Sequence, residues 1–181
     1  MGRPIVNGNG DAPMYTKILA ATDGSESGTR AVELAGDLAK VHGAEITLVH
    51  VINPTDEAPD WLYYPDAHAL GFVVPPVTPG KGDTGSLAAQ ELQRAHEQAQ
   101  MAADRLMQDS RRAAEERGAK NVRTIVEQGV AAERILATAK NENADVIVMG
   151  NRGHGNLKGL IMGSVSSAVA KDADCYCISV T

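Results

Sequence analysis

Near its carboxyl end the chain reads Asp145-Val-Ile-Val-Met-Gly150-Asn-Arg-Gly153 and, nine residues later, Gly163-Ser164-Val165-Ser166. An apolar run ends at a glycine, a second glycine follows, and a Gly-Ser pair then opens a helix-like stretch. A parallel strand that hands a phosphate to backbone amides and a helix N-terminus has this form. Glycines let the backbone approach a bulky anion and take positive φ without steric cost. Ser164 and Ser166 bring hydroxyl donors, and the amides of Val165 and Ser166 lack partners within their own helix. The helix dipole adds about 0.3–1 kcal/mol for an anion there. A plain Gly-rich turn would account for two isolated glycines; the full spacing favours phosphate.

Asp23 is the second candidate, in Thr22-Asp23-Gly24-Ser25 just after the apolar run Lys17-Ile-Leu-Ala-Ala21. A carboxylate past a strand end can accept from ribose hydroxyls or stand near a Mg²⁺ beside phosphates. It can equally cap the helix that follows. The other candidates carry less. Arg152 and Lys158 could screen phosphate charge or be exposed loop charges, and His154 suits a solvated loop. Pro79-Gly-Lys-Gly-Asp-Thr-Gly-Ser86 lacks the Gly-Lys-Ser/Thr ending and follows no strand, so it fails as a P-loop. His42, His50, His68 and His96 show no ligand spacing, and no catalytic base or Ser-His-Asp arrangement stands out. Cys175 and Cys177 would face one side of a strand as small apolar groups, with no second Cys or His cluster for a metal.

Several elements must position these groups. Lys17–Ala21 reads as a strand, followed by a helix with Ala31, Leu34, Ala35, Leu38 and Ala39 on one face, capped by Ser25 or Ser27 and ended before Gly43. Glu45–Ile52 is a second strand. A segment of about 53–85 holds six prolines, with Trp61, Tyr63, Tyr64 and Phe72, and reads as a surface insertion or a flap. Ser86–Arg117 is one long helix ended by Gly118, with a stripe of Leu92, Ala95, Ala99, Ala102, Ala103 and Leu106. Then come a strand at Asn121–Glu127, a helix at Glu133–Asn141 with Ile135, Leu136 and Ala139 inward, and a strand at Asp145–Met149. A helix at Ser164–Asp172, with Val165, Ala168 and Val169 apolar, and a strand at Cys175–Val180 complete the chain. This order predicts an α/β fold, a doubly wound five-stranded parallel sheet with helices on both faces. Ligands of such sheets sit beyond the carboxyl ends of strands where strand order reverses. If the first and fourth strands are neighbours, Asp23 and the glycine motif share one crevice.

The whole chain sets bounds. Its 181 residues make one domain over 15–181 behind a Gly-, Asn- and Pro-rich extension at 1–14, which reads as flexible and has no signal-peptide core. The cytoplasm is the expected compartment. With aromatics at 3%, the core must be built from Ala, Val, Ile, Leu and Met. A net charge of −6 argues against a nucleic-acid binder, and no run approaches the roughly 18 apolar residues of a membrane span.

The combined motifs resemble the universal stress protein family, in its ATP-binding branch. The family signature of Gly, two residues, Gly, nine residues and Gly-Ser/Thr is intact from Gly150 to Ser164. Ile18-Leu-Ala-Ala-Thr22-Asp23-Gly-Ser25 is similar to its first strand and acidic loop, Leu48-Val-His-Val-Ile52 to its second strand, and Gln128-Gly129 with Glu133-Arg-Ile135 to its turn into a helix. The resemblance implies a Rossmann-like fold of the adenine nucleotide alpha hydrolase type and a homodimer formed through the last strand. It implies that Ala21, Thr22 and Val51 frame adenine, and that Asp23 faces the ribose or, indirectly, a phosphate-bound Mg²⁺. Met149, Gly150, Arg152 and Gly153 would line the ribose and phosphates, and Gly163, Ser164, Val165 and Ser166 would hold the phosphates. The last strand lacks the family's usual Pro-Val pair, the first ends in Ala20-Ala21 rather than a proline, and the insert is longer than usual. The expected function is an ATP-binding, stress-response regulatory module with an unknown protein partner. Slow ATP hydrolysis or autophosphorylation at Ser164 or Ser166 is one alternative; binding of cyclic AMP or AMP is another.

Overall fold

The computed structural model describes residues 14–52, 84–152 and 162–181. Expectations for the N-terminal extension short of Met14, nearly all of the insert and the loop from Gly153 lie outside those residues. Among the described residues five strands and four helices alternate: β1 (Lys17–Ala21), α1 (Glu26–His42), β2 (Glu45–Ile52), α2 (Thr84–Glu116), β3 (Val122–Gln128), α3 (Ala131–Glu142), β4 (Val146–Gly150), α4 (Ser164–Asp172) and β5 (Tyr176–Val180). The sheet is wholly parallel in the order β3-β2-β1-β4-β5. The chain thus winds outward from β1 in one direction, returns, and winds outward from β4 in the other.

Both central strands are apolar on both faces, as a doubly covered parallel sheet requires. Ile18, Leu19, Ala20 and Val146, Ile147, Val148 are fully buried. Ile18, Ala20, Ile46, Leu48, Val146 and Val148 face a core shared with Ala31, Val32 and Ala35 of α1 and Met107 and Ala114 of α2. Leu19, Ala21, Val49, Ile147 and Met149 face the other core, with Ile135 and Ala139 of α3 and Val169 of α4.

The helix ends follow local chemistry. Ser25 is the N-cap of α1, its hydroxyl accepting from the Gly28 amide, and Gly43 closes the helix in the left-handed region at φ 67°. On α2 the buried line is Ala103, Met107, Ser110 and Ala114, a register different from the expected stripe: Ala102 is exposed and Leu106 half-buried. The register is set by α1, because Gly36 meets α2 at Ala114 and Arg117; a Cβ on Gly36 would lie 2.7 Å from Arg117 Cβ. On α4 the inward face is Ser166 and Val169, while Val165 is exposed. The last strand starts at Tyr176, one residue later than expected, yet Cys175 and Cys177 still pack on the same core. No helix among the described residues is long and apolar enough to cross a membrane.

Candidate functional site

The reversal of winding falls between β1 and β4, whose residues pair directly from Ile18↔Val146 to Ala21↔Met149. The acidic loop after β1 and the glycine turn after β4 therefore leave the sheet side by side, as the sequence requires if they are to share a crevice. β1 stops at Ala21, opposite Val49, while β2 continues through His50, Val51 and Ile52. Val51 of β2 and Gly150 of β4 thus extend past the end of β1 on its two sides. Ala21, Thr22 and Met149 are buried there.

The acidic loop is held from within. Asp23 Oδ1 accepts from the Ser25 amide at 3.0 Å and from its hydroxyl at 2.6 Å. Ser25, rather than Asp23, caps α1. Gly24 takes φ 83°, a turn that favours glycine. Thr22 Oγ1 accepts from the Gly24 amide at 3.2 Å, and the Thr22 amide donates to Val49 O. His50 Nδ1 lies 2.9 Å from the Thr22 carbonyl. A carbonyl can only accept, so Nδ1 carries the proton.

The glycine turn is held from both sides. Asn151 donates its amide to Val180 O at 2.7 Å, and its carbonyl accepts from the Gly163 amide at 2.7 Å and from Ser166 Oγ at 2.9 Å. The Ser166 hydroxyl, expected to face phosphate, is buried and shapes this turn instead, also reaching Gly163 O at 3.0 Å. Ser164 and Val165 are exposed on the first turn of α4, which Gly163 opens without any side-chain cap. Among the described residues no side chain caps the first turn of α4, a kind of helix start that can meet solvent or an anion. Gly150 packs against α1: a Cβ there would lie 2.5 Å from Ser27 Oγ and 2.9 Å from the Gly28 amide nitrogen. A Cβ on Gly28 would lie 2.8 Å from Asp23 Oδ1. Ser27 Oγ donates to the Arg152 carbonyl.

Ala21, Thr22, Asp23, Val51, Met149, Gly150 and Arg152 thus belong to strand ends and loops at the carboxyl end of the sheet, Gly163 and the first turn of α4 (Ser164, Val165, Ser166) are tied to it through Asn151, and Gly153 falls outside the described residues. Sequence reasoning offered Ser27 only as a helix cap, set His50 aside for lack of ligand spacing, and gave Gly28 no role. The Ser25-Glu-Ser27-Gly28 run after the acidic loop was a legible sign, since serines and a glycine at a helix start suit a close approach. No group of three or more His, Cys, Asp or Glu residues suited to a metal occurs among the described residues. A cleft of about 370 Å³, lined by Leu136, Lys140, Ile147, Asp174 and Cys175, opens at the opposite, amino end of the strands, away from these residues.

Residues 14–70 and 65–180 match the family model of the Universal stress protein family. The universal stress protein in the QAH/OAS sulfhydrylase 3′ region of Thermus aquaticus is 32% identical over 162 residues, 90% of this chain and 96% of its own length. The solved structure of the Methanocaldococcus jannaschii protein MJ0577 shares the fold, with a TM-score of 0.67 at 24% identity, covering 92% of this chain and 95% of that one. A universal stress protein solved in complex with cAMP also shares it, with a TM-score of 0.58 at 20% identity, covering 92% of this chain and 96% of that one. A family match that runs almost from one end of the described residues to the other, joined to that Thermus relative, makes this chain a member of the universal stress protein family.

Proposed function

We propose that this chain is an ATP-binding regulatory module of the stress response, held in the cytoplasm as a homodimer, whose nucleotide occupancy sets its choice of partner. The observation that carries the reading is the β1–β4 pairing, which sets the loop of Asp23 and Ser25 beside the turn at Gly150–Arg152, with Asn151 bonded to Gly163 at the start of α4. In this reading adenine lies over Ala21 and Thr22 beside Val51, with the ribose near Asp23 and the phosphates toward Gly163, Ser164 and the α4 amides. Among the described residues no group of three or more His, Cys, Asp or Glu side chains could hold a metal, so a Mg²⁺ beside Asp23 would take its remaining ligands from phosphates and water. Such an ion would neutralise phosphate charge; the chain's own part is to hold Asp23 in place through Ser25. The exposed edge of the sheet at β5 supports the dimer.

Holding ATP is favoured over hydrolysing it. No catalytic base stands out in the sequence, and the buried Ser166 hydroxyl, bonded to Asn151 O, is a poorer candidate for autophosphorylation than the exposed Ser164. A second reading, binding of a cyclic or simple adenosine monophosphate, is favoured by the cAMP complex of a protein with this fold.

Mass spectrometry of ligand released from purified protein, followed by calorimetric titration with ATP, AMP and cyclic AMP, tests the proposal. ATP should bind tightest, and Gly153→Val with Ser164→Ala should abolish it; unchanged ATP affinity in that variant would falsify the site. Phosphate release no faster than in buffer would remove the ATPase alternative.

A further inference from the structure

Asp23, Ser25, Ser27 and the Arg152 carbonyl meet where α1 begins and the glycine turn leaves β4. Each serine hydroxyl has one proton to give. That of Ser25 goes to Asp23 Oδ1 at 2.6 Å, while its oxygen accepts from the Gly28 amide at 3.2 Å. Its 3.4 Å distance to the Arg152 carbonyl makes it a poor donor there. The Ser27 hydroxyl has a proton for that carbonyl and donates to it. Asn151, one residue earlier, is held from the other side of the reversal, by Val180, Gly163 and Ser166. The turn is therefore anchored at 151 by β5 and α4, and at 152 by α1. Gly150 lacks room for a side chain because Ser27 stands against it.

We propose that Ser27 is a positioning residue of the crevice. Its hydroxyl ties the turn after β4 to the amino end of α1, and this tie fixes the gap across which phosphates are held. The phosphate half of the inference rests on the nucleotide reading above; the tie itself does not.

The test uses the full chain as wild type, Ser27→Ala and Ser27→Thr. Without ligand, amide hydrogen exchange is followed at Asn151 and Gly163, with the Ile46 amide, bonded to Asn121 O in the distant part of the sheet, as reference. Loss of one net hydrogen bond should speed exchange at Asn151 and Gly163 about five- to tenfold in Ser27→Ala, leave Ile46 unchanged, and be rescued by threonine. Calorimetry with ATP and adenosine then follows: Ser27→Ala should weaken ATP by a similar factor and leave adenosine within about twofold. Unchanged exchange, or exchange that rises equally at Ile46, overturns the tie. A changed exchange pattern with ATP and adenosine affected alike overturns the phosphate role. Wild-type protein that binds neither ligand overturns the nucleotide reading and the phosphate role together, while the exchange data still decide the tie.

Discussion

Gly150→Ala probes whether the close approach of β4 to α1 shapes the crevice. The new Cβ would stand 2.5 Å from Ser27 Oγ and 2.9 Å from both the Ser27 carbonyl carbon and the Gly28 amide nitrogen. The Ser27 hydroxyl can rotate away, but the backbone of Ser27 and Gly28 must retreat, by roughly 0.5–1 Å to regain ordinary contact. Overpacking of this kind costs about 1–3 kcal/mol, and a loss of about 2 kcal/mol lowers the Tm of a chain this size by about 4–8 °C. The same retreat moves the turn away from α4. Losing one amide bond to a phosphate, worth about 1.5–3 kcal/mol, weakens ATP by about 10- to 150-fold. Gly43→Ala is the matched control at the other end of α1. Its Cβ would meet nothing within 4 Å, so its cost is the left-handed backbone at φ 67°, about 1–2 kcal/mol. Urea unfolding measures both stabilities and calorimetry both affinities. The reasoning fails if Gly150→Ala binds ATP within about twofold of wild type, or if Gly43→Ala loses affinity to the same extent.

Removing the α1 cap with Ser25→Ala should cost about 0.5–2 kcal/mol in urea unfolding; no change would mean that the Gly28 amide finds another acceptor at no cost. Gly36→Ala places a Cβ 2.7 Å from Arg117 Cβ and 2.8 Å from Ala114 O, so pushing α2 off α1 should cost about 1–3 kcal/mol while ATP affinity stays constant. Burial first, and then the charges of Cys177, Asp145 and Asp174, push the Cys175 thiol from 9.0 up to about 11. The folded chain keeps a proton that the unfolded chain releases. The resulting stability is complete below pH 9 and is lost as pH rises toward 11. Cys175→Ala should flatten that alkaline decline in urea melts across the same window, and an identical slope in both proteins would contradict it. Iodoacetamide should also alkylate Cys175 more slowly in the folded than in the unfolded chain at pH 8, a difference that equal rates would disprove.

The strand–helix alternation and each helix's existence were legible in the sequence, because burial on two sheet faces writes continuous apolar runs and helical faces write a 3.6-residue repeat. β1, β2 and α4 have the expected bounds, and Gly43 closes α1. The glycine motif and Asp23 were legible for a local reason too: both sit where an apolar strand ends. Of the stripe expected on α2, Ala103 is buried, but sequence could not tell that Met107 and Ala114 join it while Ala102 is exposed, a choice made where α1 packs at Gly36. Nor could it tell which serines face a ligand. A hydroxyl takes whichever acceptor the fold brings near, and for Ser166 that is Asn151 O, for Ser27 Arg152 O, and for Ser25 Asp23. The sequence by itself determined where the glycines stand between a strand and a helix, because such spacing is a property of a short segment. Only the tertiary structure decided that the turn after β4 leaves the sheet beside the Asp23 loop, because the pairing of β1 with β4 depends on how the whole sheet winds and reverses.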